Sequence, residues 1–214
     1  MKKIISYVLL FALIFTSLPT YASTAAALYE KKAEVLSVLN ILKGDEDGFR
    51  LESSPTRLEA VIIMLRLTGN ESAAIEKNLH HPFTDVPDWA GAYAGYAFAS
   101  GITSGVSETR FGTDEELTAN QFITFVLRAI GYNDLNGDFD VDGALEFARG
   151  RKIITSDVDA DNFKRKDIVS VLYDVLGANV NNSDLTFAKR LKALGVFTDE
   201  DEIKATKIIA DFVS

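Results

Sequence analysis

Residues Phe49 to Gly69 recur, 62 positions further along, as Phe111 to Gly131. In each copy a phenylalanine stands seven residues before a threonine, Thr56 or Thr118, and a glycine stands thirteen after it. An arginine, Arg66 or Arg128, fills the same place near the end of both. Self-similarity at a fixed offset means that the chain folds as copies of one supersecondary unit, none of which can bury its apolar face alone. A third, more divergent copy keeps the register: Phe163 and Ile168 bracket Lys164-Arg165-Lys166-Asp167, and Gly177 stands thirteen after Lys164.

The conserved spacing is that of a capped helix. Thr56-Arg57-Leu58-Glu59 and Thr118-Ala119-Asn120-Gln121 are capping boxes, in which the threonine and the residue three further on satisfy each other's backbone N–H groups. Leu117 and Phe122 have the spacing of a hydrophobic staple, and Phe122, Phe125, Val126 and Ala129 mark one apolar helical face. Gly69, Gly131 and Gly177 are expected to end the three helices. Lysine is a poor N-cap, so the third start is expected to be frayed or capped by Asp161 or Asn162. A shorter helix precedes the second start. It follows Pro87, carries Trp89, Tyr93 and Tyr96 at helical spacing, and stops at Gly101. Asp142 to Arg149 is its counterpart before the third start.

Around these units the pattern predicts a helix from Leu28 to Leu42 stopping at Gly44, a helical piece from Glu71 to Asn78, and an amphipathic helix from Leu185 to Leu194 stopped by Gly195. Thr198 to Ser214 reads as helix or strand.

Phe83 to Ala90 reads F-x-D-V-x-x-W-A, Gly101 to Gly105 reads G-I-x-x-G, and after Phe111 a capped helix ends in R-A-I-G at Gly131. This stretch resembles an S-layer homology repeat. The resemblance implies an all-α fold with three repeats joined in a pseudo-threefold trefoil bundle and an extra C-terminal helix. It divides the chain into 1–22, a signal peptide; 23–82, repeat one and its connector; 83–132, repeat two; 133–183, repeat three; and 184–214, the C-terminal helix and tail. It also implies non-covalent binding of a secondary cell-wall polysaccharide, pyruvylated in that family, by a protein of the cell wall or S-layer in a Gram-positive-like envelope. The family pattern at the second helix start is Thr-Arg-Ala-Glu, so its arginine maps onto Arg57 and Arg165, and Ala119 replaces it in the middle copy.

The residues give their own reasons for a site there. A helix start offers free N–H groups to an anion, and the Arg57 and Arg165 forks can hold a carboxylate bidentately. Thr56, Glu59, Thr118 and Gln121 are helix caps first and candidate sugar contacts second. The spacing of Trp89 with the two tyrosines points to the core, against a role as a stacking face for a sugar ring. Asp85 reads as a cap for the following helix, and Arg128, at a helix end, is expected to stand apart from any site.

Composition narrows the function classes. The 214 residues carry a net charge of −9, and −11 without Lys2 and Lys3, which disfavours a nucleic-acid binder. Those lysines, the apolar run Ile4 to Phe15 and the small residues at Thr20-Tyr21-Ala22 have the form of a secretory signal. No later segment has the length and apolarity of a membrane span. Cysteine is absent, so neither a disulfide framework nor a thiol nucleophile exists. His80 and His81 are adjacent and alone, and Gly-x-Ser-x-Gly does not occur. Asp134-x-Asn136-x-Asp138-x-Asp140 begins like a calcium loop, but Phe139 and Leu145 occupy the places of the loop's glycine and glutamate, so a solvated acidic turn is expected. No metal, cofactor or catalytic residue is assigned. A binding protein is expected rather than an enzyme, with a binding-dead scaffold for other surface proteins as the first alternative and a two-carboxylate wall glycosidase as the second.

Overall fold

The computed structural model describes the backbone of residues 19–213 and the side chains of residues 24–212. The expected signal peptide lies almost wholly outside the described residues. The regular structure of the described residues is helical, with helices α1 (Pro19–Val38), α2 (Arg57–Leu67), α3 (Glu71–Lys77), α4 (Gly91–Ala99), α5 (Ala119–Ala129), α6 (Ala144–Gly150), α7 (Arg165–Gly177), α8 (Phe187–Ala193) and α9 (Asp199–Val213). Extended pairing among the described residues is confined to isolated bridges, Thr56 with Glu116 among them.

The repeated starts form as the sequence dictates. Thr56 accepts from the Glu59 N–H while Glu59 accepts from the Thr56 N–H, and Thr118 and Gln121 do the same. Gly69 and Gly131 follow their helices with φ of +70° and +100°, a region that costs glycine little. The third unit departs at both ends. Lys164 is the N-cap residue itself, and its N–H is satisfied by Asp167 Oδ2 at 2.8 Å, so neither Asp161 nor Asn162 caps the helix. Gly177 stays inside α7, which ends at an extended Ala178. Likewise α1 stops at Val38, well before Gly44, because Asn40 takes a left-handed conformation with φ +58°. The C-terminal stretch is a helix, α9.

Two apolar clusters meet on α2. The larger unites α1, α5, α6, α7 and α8 with Ala60, Ile63, Met64 and Leu67 of α2. The smaller sets Leu58, Val61 and Ile62 of α2 against Phe83, Phe111 and the small residues Ala90, Ala94 and Ala97. Helix α2 therefore buries residues on two faces rather than one, every residue from Ala60 to Leu65 being buried, while Arg57, Glu59 and Arg66 stay partly exposed. Helix α2 packs on α5, α5 on α7, and α9 lies along α1.

Trp89 overturns the core reading: it is 66% exposed. Residues Asp88–Ala90 form a 3₁₀ turn, so the helical phase of Tyr93 and Tyr96 does not extend back to Trp89. Ala90 turns inward instead, with Ala94 and Ala97.

The close approach of α4 to its neighbour rests on Gly95, where a Cβ would lie 1.7 Å from the Leu79 carbonyl oxygen. Gly95→Ala is expected to lower stability by about 1–3 kcal/mol through backbone displacement. Gly150→Ala, at an α6 position facing open space, is expected to be neutral or slightly stabilising. Urea denaturation midpoints of the two variants compare the effects directly.

Candidate functional site

Two clefts flank the start of α2. Groove one, of about 620 Å³, is lined by Arg50, Thr56, Glu59, Arg66, Trp89 and Arg165, among others. Groove two, of about 420 Å³, is lined by Arg57, Phe98, Thr103, Ser104, Gln121 and Arg128, among others. Successive helical residues are turned by about 100°, so Arg57 cannot share a groove with its motif neighbours Thr56 and Glu59. Each groove instead joins the start arginine of one unit to the N3 residue of another: Arg165 with Glu59, and Arg57 with Gln121.

Groove one is compensated from within. Glu59 Oε1 accepts from Arg165 Nη1 at 2.9 Å and from Arg50 Nη2 at 3.1 Å. Arg165 is 6% exposed and also donates from Nε to the Phe49 carbonyl at 2.8 Å. Arg50 is paired further with Asp45 at 2.8 Å and holds a positive φ of 47°, a strained conformation that the two carboxylates sustain. Trp89 stands at the rim with its indole in solvent.

Groove two has a different balance. Arg57 Nη2 donates to Thr103 Oγ1 at 2.8 Å, and the guanidinium lies 5.9 Å from the Phe111 ring. Its Nε is buried and has no acceptor among the described residues. No carboxylate pairs with it there. Arg128, expected to stand apart, lines the same groove and is held bidentately by Asp134 at 2.7 Å. That pair corrects the solvated-turn reading at Asp134 alone, since Asn136, Asp138 and Asp140 are exposed. The Asp134 side chain is 8% exposed, and hydrogen bonding to Arg128 holds its pKa below the ordinary value. Thr118 is exposed, caps α5 and lines neither groove.

Between the start of the second unit's helix α5 and the third unit's helix α7, the matching positions have lost both cations. Ala119 stands where the start arginine belongs, and Asp174 occupies the place of Arg66 and Arg128. Asp174 accepts from the backbone N–H groups of Thr155 and Ser156. Asp167, the N3 residue, is 3% exposed, and burial raises its pKa.

Asp85 caps no helix. It collects the N–H groups of Phe111, Gly112 and Thr113 at 2.7, 2.9 and 3.3 Å and so ties down the loop that brings Thr113 to groove one. Among the described residues no group of three or more acidic or histidine side chains could hold a metal ion. Arg50 was not legible as a site residue. Its only sequence signal is its position in the segment before Thr56.

Several known proteins are similar to part of this chain. No family model matches it. It is 32% identical over 148 residues to a cell surface protein of Thermoanaerobacter kivui, a match covering 64% of this chain and 19% of the relative. It is 29% identical over 143 residues to a surface layer protein of Brevibacillus choshinensis, covering 62% and 13%. A middle cell wall protein of Brevibacillus brevis is 28% identical over 145 residues, covering 62% and 14%. The chain thus spans less than a fifth of the length of these relatives. The relationships place the protein among secreted cell-surface, S-layer and cell-wall proteins. Among the described residues no helix is long and apolar enough to cross a membrane.

Burial works to raise the Asp85 pKa, but the three backbone donors outweigh it and leave the carboxyl below its ordinary value of 3.8. A depressed native pKa stabilises the fold above the unfolded value and is lost as pH falls through the native one. Asp167 has the opposite sign: its raised pKa favours the fold as pH falls toward the unfolded value. Asp85→Asn is therefore expected to destabilise at neutral pH and to flatten the acid limb below about pH 4. Thermal melts from pH 7 to pH 2.5 measure it, and an unchanged acid limb would contradict the assignment.

Proposed function

We propose that this protein is a non-enzymatic wall-binding module of S-layer homology type, with its three units in a pseudo-threefold trefoil. It holds an acidic secondary cell-wall polysaccharide, and groove two takes the charged sugar. The observation that carries this reading is Arg57, which among the described residues has no carboxylate partner and no acceptor for its buried Nε, in a cleft lined by sugar-compatible donors and acceptors. A guanidinium held on one side by Thr103 and backed by Phe111 is pre-organised for a planar carboxylate. The exposed Trp89 on groove one supports a carbohydrate partner, since an indole face packs well on the apolar face of a sugar ring. The kinship with surface-layer and cell-wall proteins fits the same partner.

A second reading, a scaffold for other surface proteins that no longer binds sugar, is favoured by one observation. Both arginines clustered at Glu59 in groove one are neutralised internally.

Sedimentation with purified sacculi, before and after acid extraction of the secondary polymer, separates the two. Charge-assisted hydrogen bonds contribute about 1.5–3 kcal/mol, so Arg57→Ala is expected to weaken binding about tenfold to a hundredfold. Arg57→Lys is expected to recover only part, because the planar fork is lost. Arg165→Ala is expected to act on stability first, at a cost of about 1–3 kcal/mol, because it removes a nearly buried guanidinium bonded to Glu59 and to the Phe49 carbonyl and leaves Arg50 as the partner of Glu59. Equal binding by wild type and Arg57→Ala would set the polysaccharide reading aside in favour of the scaffold.

A further inference from the structure

Asn136-Gly137 is the only Asn-Gly pair in the chain, and every other asparagine is followed by a residue with a side chain. An asparagine carboxamide is an electrophile within reach of the next backbone nitrogen. A glycine there leaves that nitrogen unshielded and its backbone free to turn.

The fold exposes the pair rather than guarding it. Asn136 ends a 3₁₀ turn, Asp134–Asn136, and Gly137 follows with φ +82°. Both residues are exposed, and a Cβ added to Gly137 would meet open space. The Asn136 carboxamide makes no hydrogen bond among the described residues. The Asn120 carboxamide, by contrast, is held by the Asp142 carbonyl and the Leu145 N–H, and that of Asn181 by the Gly131 carbonyl. Leu135 is 87% exposed and gives the turn no apolar anchor. What closes the turn is a set of bonds across it. The Gly137 N–H donates to the Asp134 carbonyl at 3.0 Å, the Asp138 N–H to the Asn133 carbonyl at 3.1 Å, and the Asn133 N–H to the Asp138 carboxylate at 2.8 Å. A solvent-exposed 3₁₀ turn is weakly bonded and opens locally at small cost, which frees the Gly137 nitrogen. The same turn places Asp134, whose two oxygens grip Arg128 at 2.7 Å.

We propose that Asn136-Gly137 is a site of spontaneous deamidation to isoaspartate, and that the product loosens the turn that holds Asp134 on Arg128. The Gly137 nitrogen attacks the Asn136 side-chain carbonyl carbon. A C–N bond forms, the nitrogen's proton departs with the side-chain amide as ammonia, and a cyclic succinimide results. Water then adds to one of the ring carbonyls. Opening on one side gives ordinary aspartate. Opening on the other gives isoaspartate, whose main chain runs through the former side chain and is longer by a methylene. The added methylene displaces the Gly137 and Asp138 N–H groups from their acceptors, and a new carboxylate appears on the turn. Neither step depends on what groove two binds.

The test incubates the folded, ¹⁵N-labelled protein in warm, mildly alkaline buffer. Peptide mass spectrometry follows the mass gain of deamidation, an isoaspartyl methyltransferase marks the new linkage, and NMR follows the Arg128 Nε–H resonance. Asn136 is expected to deamidate ahead of every other asparagine, to give mainly isoaspartate, and to shift the Arg128 resonance in step with the modified fraction. Asp47-Gly48 and Asp142-Gly143 close the same ring by losing water and regain it on hydrolysis, so the mass gain reports asparagine alone. Asn136→Ser is expected to abolish the mass gain at the turn and to hold the Arg128 resonance in place throughout. Asn136→Asp, read before incubation, carries the charge without the methylene and is expected to leave the clamp closed. Another asparagine reacting first, or Asn136 reacting only once the protein is unfolded in urea, would overturn the site. An Arg128 resonance unmoved by isoaspartate, or moved equally in incubated Asn136→Ser or fresh Asn136→Asp, would overturn the coupling.

Discussion

The structure depends on how the segment before α2 satisfies the open ends of the other helices. The Arg57 N–H donates to the Glu115 carbonyl at 2.9 Å, and the Leu117 N–H donates to Pro55 at 3.1 Å, which joins the first unit to the second. On its other side the same segment receives the N–H groups of Arg165 and Lys166, at 3.0 and 2.9 Å, on the carbonyls of Ser53 and Leu51. The N–H groups of Arg57, Arg165 and Lys166 are donors that a helix start leaves unsatisfied. Pairing them between units, rather than with water, fixes the rotation of α2 relative to its neighbours. That rotation sends Arg57 to one groove and Glu59 to the other.

From this the division of labour follows. Groove one contains an internal ion cluster centred on Glu59, and groove two contains an arginine with unused hydrogen-bonding capacity. Where the second unit meets the third, Ala119 and Asp174 replace both arginines, and the carboxylates of the third unit there, Asp167 and Asp174, are engaged with backbone N–H groups. Repeats of one origin have thus diverged by single charges while keeping the same helical frame.

Much of the frame was legible because caps are local. Thr56, Thr118 and the glycines beyond their helices announce themselves within fifteen residues, and the 62-residue offset tied the copies together. Thr198-Asp199-Glu200-Asp201 carries the same signal: Thr198 and Asp201 satisfy each other's N–H groups and begin α9, so the choice between helix and strand was available there. What escaped was non-local. Trp89 left the core because a 3₁₀ turn broke the helical phase, and Asp85 took up a loop 26 residues away instead of its own helix. Arg50 and Arg128 became groove residues only when their partners Glu59 and Asp134 were placed in space.

The central claim is that Arg57 is the anion contact of a wall-sugar groove formed between two units. The most direct measurement is a crystal structure of the protein bound to an acidic oligosaccharide released from the wall polymer. The account expects the sugar carboxylate on the Arg57 guanidinium, between Thr103 and Gln121, with the Glu59 cluster undisturbed. An oligosaccharide carboxylate seated on Arg165 with Glu59 displaced, or a sugar bound away from both grooves, would contradict it.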